Sequence, residues 1–514
     1  MAVAADGSVA VRLPDRWPET LVRGGLVVRA GDGAPLLPGP PELRVDADEV
    51  ELAWTSDRLA LVVRHTFAAG WGLRVALSNP GVESVTLADP MLSWRVPEGR
   101  PAWALAAGAA GSYAVLPPDG TGPLLGGLLR MGSLPAVDAR GLHLGPVVLA
   151  PGGRYVVQWH WEVYPGPRSL GRGRHPEVPR LLDLEVGEVA IADAGEDEAL
   201  LVPDVLQAER SRGQVELSAT VPGRYPVELR SARGTTTYQL RVAAPLDALL
   251  SARALAALEQ PRTAAGIVRL PDVDAALAVQ SGVAAGVLPD AELAEEALDL
   301  FTARLPEDAE LDPRTVGYLC GEHLRTAEPG LLERAGRAVL SAGAPRPGLG
   351  LAATQLCLVL LLAEHPVGPV LEHLARVSAA AEREPLAGPL PQQAALLELE
   401  VVTMGRGGAA APAGVPDRVA DRVAARVTAL GGWLGAGLTG RPVRPLPVDQ
   451  LAHLTAVLAL LPEDAAARHR GRWGCTAHEL ARRSRAAVLD RVAAEPGSGS
   501  GPALSYLLLG TRPD

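Results

Sequence analysis

The stretch from Tyr225 to Gln260, YPVELRSARGTTTYQLRVAAPLDALLSARALAALEQ, marks a change in hydrophobic period. In its first part apolar residues alternate with polar ones, which is the pattern of two half-buried strands joined by a turn at Ala232–Gly234. Pro245 ends the second strand, and from Leu246 onwards the apolar residues recur on one face of a helix. This single switch predicts a β-rich half followed by an α-rich half.

The β-rich half divides into two predicted units. Residues 1–165 contain many short β-branched or aromatic runs separated by Gly, Pro, Asp and Asn, which predicts a large β-sandwich. Residues 166–180 are rich in Pro, Gly and Arg and are predicted to form a linker. Residues 181–244 give a second set of strands, and their number and spacing predict a small immunoglobulin-like sandwich.

Residues 245–514 are predicted to form helices joined by short loops. Such helices pack antiparallel as hairpins, and the absence of a fixed repeat favours a closed toroid over an open stack. Asp290, Asp312 and Glu463 stand at predicted helix starts, and the apolar stretch near the C-terminus is expected to dock back. The candidate helices are 246–259, 271–284, 290–304, 313–327, 329–342, 350–364, 367–384, 390–403, 415–429, 448–461, 462–470 and 475–493.

Composition excludes some classes of function. The net charge is −11, and all 48 basic residues are arginine spread along the chain, so nucleic acid is not the expected partner. No secretory signal is visible, and the longest apolar run, Leu356 to Ala363, is too short to span a bilayer. Three cysteines, all in the helical half, do not make a disulfide framework. We therefore expect a cytoplasmic protein with no membrane span, and the oligomeric state stays open.

Three stretches resemble the six-hairpin glycosidases and related toroid carbohydrate-active enzymes. They are RVALSNPGVESVTLADPMLSWRVPEG, LAPGGRYVVQWHWEVYPG and GRYPVELRSARGTTTYQLRVAAPLDALLSARALAALEQ, which look like two parts of the family's sandwich and its strand-turn-strand into the first toroid helix. The likeness implies a large sandwich, a small sandwich and an α/α toroid that acts on carbohydrate. In the family, the loop after the first helix carries aromatic and acidic residues, whereas here it reads PRTAAGIVRLPDVDAALAVQSG.

Hydrolysis of a glycosidic bond needs two carboxyl groups that straddle it. Candidates in apolar surroundings are Asp312, Glu322, Glu398 and Glu400. The alternatives are an N-cap for Asp312 and a solvent-facing helix position for Glu322. Glu398 and Glu400 are two residues apart, so at most one of them can face a pocket.

Sugar binding also needs aromatic platforms, and few aromatic residues lie in the helical half. Tyr318 is a candidate there, and Trp159 and Trp161, on one face of a strand, are candidates in the sandwich. The alternative for the tryptophan pair is packing inside the sandwich.

Two Cys-x-x-His pairs, Cys320 with His323 and Cys475 with His478, each lie on one helical face. Together they could form a zinc site if their helices met. No other cofactor is expected.

The sequence thus supports three functional hypotheses. The first is a carbohydrate-active protein, with hydrolase, lyase or phosphorylase activity implied by the resemblance. The second is a non-catalytic scaffold with the same architecture that binds a glycan or a partner protein; the few aromatic residues and the missing acidic loop favour it. The third is a zinc-dependent toroid enzyme, which depends on the Cys-x-x-His pairs alone.

Overall fold

The computed structural model describes residues 40–511 except 69, 121, 173–174, 196–197, 264–265, 307–310, 382–388, 405–414, 496 and 498. Before residue 40 it describes only the backbone of three strands, and for residues 172 and 415–418 only the backbone. Strands precede helices along the chain, so the predicted β-then-α order is confirmed.

The large β region contains strands β1 to β16. Their bounds are Ala2–Val3, Val9–Leu13, Trp17–Val27, Glu42–Val45, Glu49–Thr55, Ala60–Thr66, Trp71–Ser78, Val85–Leu87, Met91–Arg95, Ala102–Ala107, Ala110–Val115, Leu124–Met131, Ala136–Asp138, Gly141–His143, Val147–Leu149 and Arg154–Tyr164. In the described residues β1, β2, β3, β9, β14 and β13 form one sheet, and β10, β11, β12, β16, β7, β6, β5 and β4 form a second. These two sheets enclose a common core, in which the ring of Trp94 from one sheet stacks on Trp71 and Trp161 from the other, with centroids 5.4 and 4.9 Å apart.

The second β region follows a short helix, α1, at Pro167–Arg172, which lies within the segment predicted as a linker. Its strands β17 to β23 are Asp183–Glu185, Val189–Asp193, Ala199–Leu201, Gln207–Ser211, Gln214–Ser218, Gly223–Ser231 and Gly234–Ala243. They form two small sheets, β17-β23-β22-β19 and β18-β21-β20. Apolar residues of both sheets share one core with Leu105 and Ala110 of the large region, so the two β regions pack together.

The helical region begins where the hydrophobic period changes. Helices α2 to α10 are Leu246–Leu258, Val273–Ala284, Ala291–Arg304, Pro313–Thr326, Pro329–Ser341, Leu349–Leu362, Gly368–Ala380, Leu390–Met404 and Val415–Trp433. Helices α11 to α15 are Val448–Ala459, Glu463–Ala467, Arg470–Trp473, Ala477–Ala494 and Ser500–Gly510. Asp290 and Asp312 cap α4 and α5, as predicted, whereas Glu463 is the first residue of α12 and Pro462 precedes it.

A two-residue strand, β24, interrupts the helical region at Arg441–Pro442. It pairs with the edge strand β10 of the large sandwich through Trp103↔Pro442 and Ala104↔Arg441. The segment between α10 and α11 therefore ties the helices to the sandwich.

The last helix closes the helical region into a ring. Helices α3, α5, α7, α9 and α11 contact one another in that order, and α15 contacts both α11 and α3, and also α5 and α7. The closing contacts include a hydrogen bond of 2.7 Å from the Ser505 hydroxyl to Asp274 and one of 3.1 Å from the Gln355 amide to the carbonyl of Leu509. The apolar tail thus docks back, with eight of the eleven residues of α15 buried.

In the described part of the chain, none of the helices combines the length and apolarity that crossing a bilayer requires.

Candidate functional site

The starts of several ring helices meet at one end of the ring. Arg314, in the first turn of α5, reaches Asp274 in the first turn of α3, and Gly348, just before α7, lies beside Pro313 and Tyr506. We call the polar residues gathered there the mouth cluster: Asp274, Asp312, Arg314, Glu398, His453, Ser505 and Tyr506. Helix N-termini carry partial positive charge, so this end of the ring favours anionic groups.

Arg314 joins two helix starts through charged hydrogen bonds. Its guanidinium binds both oxygens of Asp274, at 2.8 and 2.9 Å, and both oxygens of Asp312, at 2.9 and 3.1 Å. Burial by itself would lower the pKa of Arg314, but the two carboxylates outweigh burial and hold that pKa raised. Burial is also the main reason why the pKa of Asp274 is raised. The arrangement fixes α3 against α5 and leaves little of the arginine for a ligand.

Glu398 is fully buried and serves the start of α7. Its carboxylate accepts hydrogen bonds from the main-chain nitrogens of Gly348, Gly350 and Leu351, at 2.9, 2.8 and 3.2 Å, and it also bonds His453 Nε2. A helix start has unpaired N–H groups and a positive partial charge. The Glu398 carboxylate accepts hydrogen bonds from the first and is attracted by the second. The buried pair also holds the imidazole in a fixed orientation.

Tyr506 packs against the histidine of the buried pair. Its ring lies 5.0 Å from the His453 ring, measured between centroids, and the side chain is partly exposed. Burial raises the pKa of Tyr506 to about 12, so its hydroxyl keeps its proton at neutral pH. Tyr506 is therefore a reachable proton donor placed over an oriented histidine–glutamate pair.

The structure holds the predicted acids in place by ion pairs or backbone bonds. Asp312 caps α5 and binds Arg314, as its N-cap alternative proposed. Glu322 is 1% exposed, not solvent-facing, and binds Gln280 and Arg325, both at 2.6 Å. Glu400 is buried between Arg422 and Arg426, and burial raises its pKa. Of the four, Asp312 and Glu398 belong to the mouth cluster, and Glu322 and Glu400 lie in separate ion pairs.

The predicted aromatic platforms are all internal, which corrects the expectation that they bind a sugar. Trp159 and Trp161 are at most 1% exposed, and they pack in the sandwich core with their rings 5.7 Å apart. Tyr318 is fully buried, and its hydroxyl bonds Thr302 and the carbonyl of Leu298 at 2.7 and 3.1 Å. A ring without an exposed face cannot stack on a ligand, so packing, the alternative for the tryptophans, describes all three.

The two Cys-x-x-His pairs do not form a metal site in the described residues. Among those residues, no group of three or more His, Cys, Asp or Glu side chains is placed to hold a metal ion. His323 and His478 each use a ring nitrogen to bond a main-chain carbonyl at 2.8 Å, and burial raises the pKa of Cys320 to about 12. Burial also raises the pKa of Cys475, so both thiols keep their protons at neutral pH in this metal-free arrangement.

Sequence reasoning missed three members of the mouth cluster that carry its chemistry. His453 lies in a largely apolar helix, Arg314 directly follows the cap and proline of α5, and Tyr506 lies in the apolar tail. Each of the three is a polar residue among small and apolar neighbours in its helix, and this pattern could have marked it as a candidate site residue. The pattern could not show that the three helices meet.

Comparisons with known proteins concern the fold. No family model matches the sequence, and no curated protein matches it. Among solved structures, the polysaccharide lyase BACCELL_00875 is similar over 96% of this chain and 93% of that chain, with a TM-score of 0.67 and 13% sequence identity. YidC from Thermotoga maritima aligns with 30% of this chain and 40% of that chain at 18% identity, and its TM-score of 0.18 is too low to support an argument. The chain therefore shares a β-then-α architecture with a polysaccharide lyase, and fold alone does not assign activity.

Proposed function

We propose that this protein is a carbohydrate-active enzyme of the six-hairpin toroid type, and that it cleaves an acidic polysaccharide by elimination at the mouth cluster. The similarity of almost the whole fold to a polysaccharide lyase supports the substrate class. The ring closed by α15 supports the toroid, because each ring helix follows a helix that packs outside the ring.

The carboxylates favour elimination over hydrolysis. A glycoside hydrolase needs one carboxyl group as acid and a second as base or nucleophile, both facing the bond to be cleaved. Glu322, Glu398 and Glu400 are at most 2% exposed, and each has partners that fix it. In none of the three does an oxygen face an open cleft in the described structure, so their geometry fits structural roles.

Elimination needs a different set of groups. A base removes the proton on the carbon beside the sugar's carboxylate, the electron pair forms a C=C bond, the C–O bond to the next sugar breaks, and the leaving oxygen takes a proton. Tyr506 is the proposed donor of that last proton, because it is protonated, partly exposed and held over His453. The helix starts around it would attract the sugar's carboxylate.

The observation that carries this proposal is the contact of Tyr506 with the buried Glu398–His453 pair. The test is to incubate the purified full chain with uronate-containing polysaccharides and to follow the ultraviolet absorbance of the new C=C bond. We expect Tyr506→Phe to lower the rate about 100-fold or more, as for loss of a general acid. Tyr318→Phe, which changes the buried tyrosine of the same ring, should keep the rate. Equal activity of both variants would reject the role of Tyr506.

The scaffold hypothesis retains one supporting observation. Every carboxylate of the mouth cluster already has a partner in the protein, so the cluster could serve stability alone. In that case the chain would produce no unsaturated product from any polysaccharide tested, while native gels containing the polysaccharide would still retard it.

A further inference from the structure

A cavity lies between the helical region and the small β region, and none of its lining residues belongs to the mouth cluster. Its walls come from α14, the end of α10, the β24 segment and strands β17, β22 and β23. Its volume is about 330 Å³. We call it the arginine cavity, after the residues Arg224, Arg241, Arg441, Arg483 and Arg491 that line it.

The charge of this cavity opposes the charge of the protein. Five arginines face the carboxylates of Asp183 and Glu495 in the lining and of Asp490 beside it, which leaves two formal positive charges in a chain of net charge −11. A concave site with low-dielectric walls concentrates such a potential, so it draws anions from solution. None of this charge depends on the mouth cluster.

Most of the arginines are held in position before any ligand arrives. Asp490 binds Arg224 and Arg241, each at 3.2 Å. Arg483 donates to the carbonyl of Leu438 at 2.7 Å, and Arg491 donates to the carbonyl of Leu446 at 2.7 Å. Bonds to carbonyls fix a guanidinium without cancelling its charge, so the cavity is pre-organised for an oxyanion.

Arg441 is the arginine best placed to turn towards a ligand. Its side chain is 31% exposed, and its ion pair with Asp183 is long, at 3.5 Å. Burial raises the pKa of Asp183, and nearby arginines oppose that effect.

Two indoles add an apolar wall. Trp103 is buried, with the guanidinium of Arg483 5.6 Å from its ring centroid. Trp433, at the end of α10, is partly exposed and lines the cavity. A partly exposed indole next to fixed cations suits a ligand that has both a ring face and an anionic group.

We propose that the arginine cavity binds a sugar that carries a carboxylate or a phosphate group. The anionic group lies among Arg224, Arg441 and Arg491, and the sugar ring packs against Trp433. The volume of about 330 Å³ supports this class, because ligand sites commonly span about 300–1000 Å³. Binding here is separate from cleavage at the mouth cluster, since the two sites share no residue.

The test is calorimetric titration of the full chain with glucuronate, glucose phosphate, inorganic phosphate and neutral glucose. We expect saturable binding of at least one acidic sugar and none of glucose. Arg441→Gln and Arg224→Gln should each weaken that binding about tenfold, the usual effect of losing one charged hydrogen bond. Arg230→Gln is the matched control, because Arg230 lies on the same strand as Arg224 and is paired with Glu228 outside the cavity.

Trp433→Leu separates a sugar site from a simple anion site. It should weaken the acidic sugar and leave inorganic phosphate unchanged. Tighter binding of glucuronate indicates a uronate site, and tighter binding of glucose phosphate indicates a sugar-phosphate site. Either result supports the proposal. Binding of glucose equal to that of the acidic sugars, unchanged binding in both arginine variants, or no binding of any acidic sugar would overturn it. Circular dichroism of each variant confirms that the chain is folded.

Discussion

Glu398 on α9 accepts a hydrogen bond of 2.8 Å from the main-chain nitrogen of Gly350, in the first turn of the neighbouring helix α7. A carboxylate from one ring helix thus completes the start of another. Because Gly348 and Leu351 donate to the same carboxylate, one side chain replaces the local N-cap that α7 lacks.

Glu398→Ala should therefore destabilise the helical region strongly. The substitution leaves the N–H groups of Gly350 and Leu351 without their partner and removes the buried carboxylate from His453, which costs about 3–5 kcal/mol in free energy of unfolding. Urea unfolding followed by helix circular dichroism measures the loss. Glu296→Ala, at an exposed position of α4, should change the midpoint little, and a similar midpoint for both variants would contradict this role of Glu398.

Gly350→Ala tests how closely α7 approaches α9. A Cβ at Gly350 would overlap the backbone and Cβ of Glu398, so the helices must separate, at a cost of about 1–3 kcal/mol. Gly336→Ala is the matched control inside α6, where a Cβ would meet no atom within 4 Å. That control should stabilise the protein by about 0.5–1 kcal/mol, because alanine suits a helix better than glycine. Thermal unfolding of the two variants should shift in opposite directions.

Leu509→Ala tests whether the last helix closes the ring. Leu509 is 4% exposed and packs where Gly317 of α5 leaves room for it. Its loss should cost about 2–5 kcal/mol through lost burial and a residual cavity. Leu362→Ala, at a position 75% exposed at the end of α7, is the control and should be nearly neutral. Urea midpoints that agree for the two variants would show that α15 does not pack as described.

The sandwich should lose stability in mild acid because of His65. Burial lowers the pKa of His65 to about 4, and the neutral ring accepts a hydrogen bond of 3.2 Å from the Trp71 indole. The unfolded chain takes up this proton near pH 6.5, so stability is complete above that pH and falls as the pH drops towards about 4. The loss is on the order of 3 kcal/mol.

Tryptophan fluorescence during urea unfolding at several pH values measures this effect in the sandwich. His65→Gln, which keeps an acceptor for Trp71 and does not titrate, should flatten the pH dependence. His365→Gln removes an exposed imidazole instead and should leave the dependence as steep as in the unmodified chain.

Most of the helices could be predicted because their signals are local. The predicted helix 313–327 is observed as Pro313–Thr326, since a cap, a proline and an apolar face all occur within one short stretch. The acids Asp312 and Glu398 were also found from sequence and do lie in the mouth cluster. The arrangement around them was not predictable, because Asp274, which Arg314 also binds, and Gly350 and His453, which Glu398 binds, come from other helices.

The sequence by itself determined where strands give way to helices, because period, caps and turn residues act over a few positions of the chain. The tertiary structure decided that Trp159 and Trp161 face the core, that α15 closes the ring, and that Tyr506 meets His453. These outcomes depend on contacts between segments that are far apart in sequence. Burial and charge pairing together decide such contacts, so they cannot be predicted from any single stretch of the chain.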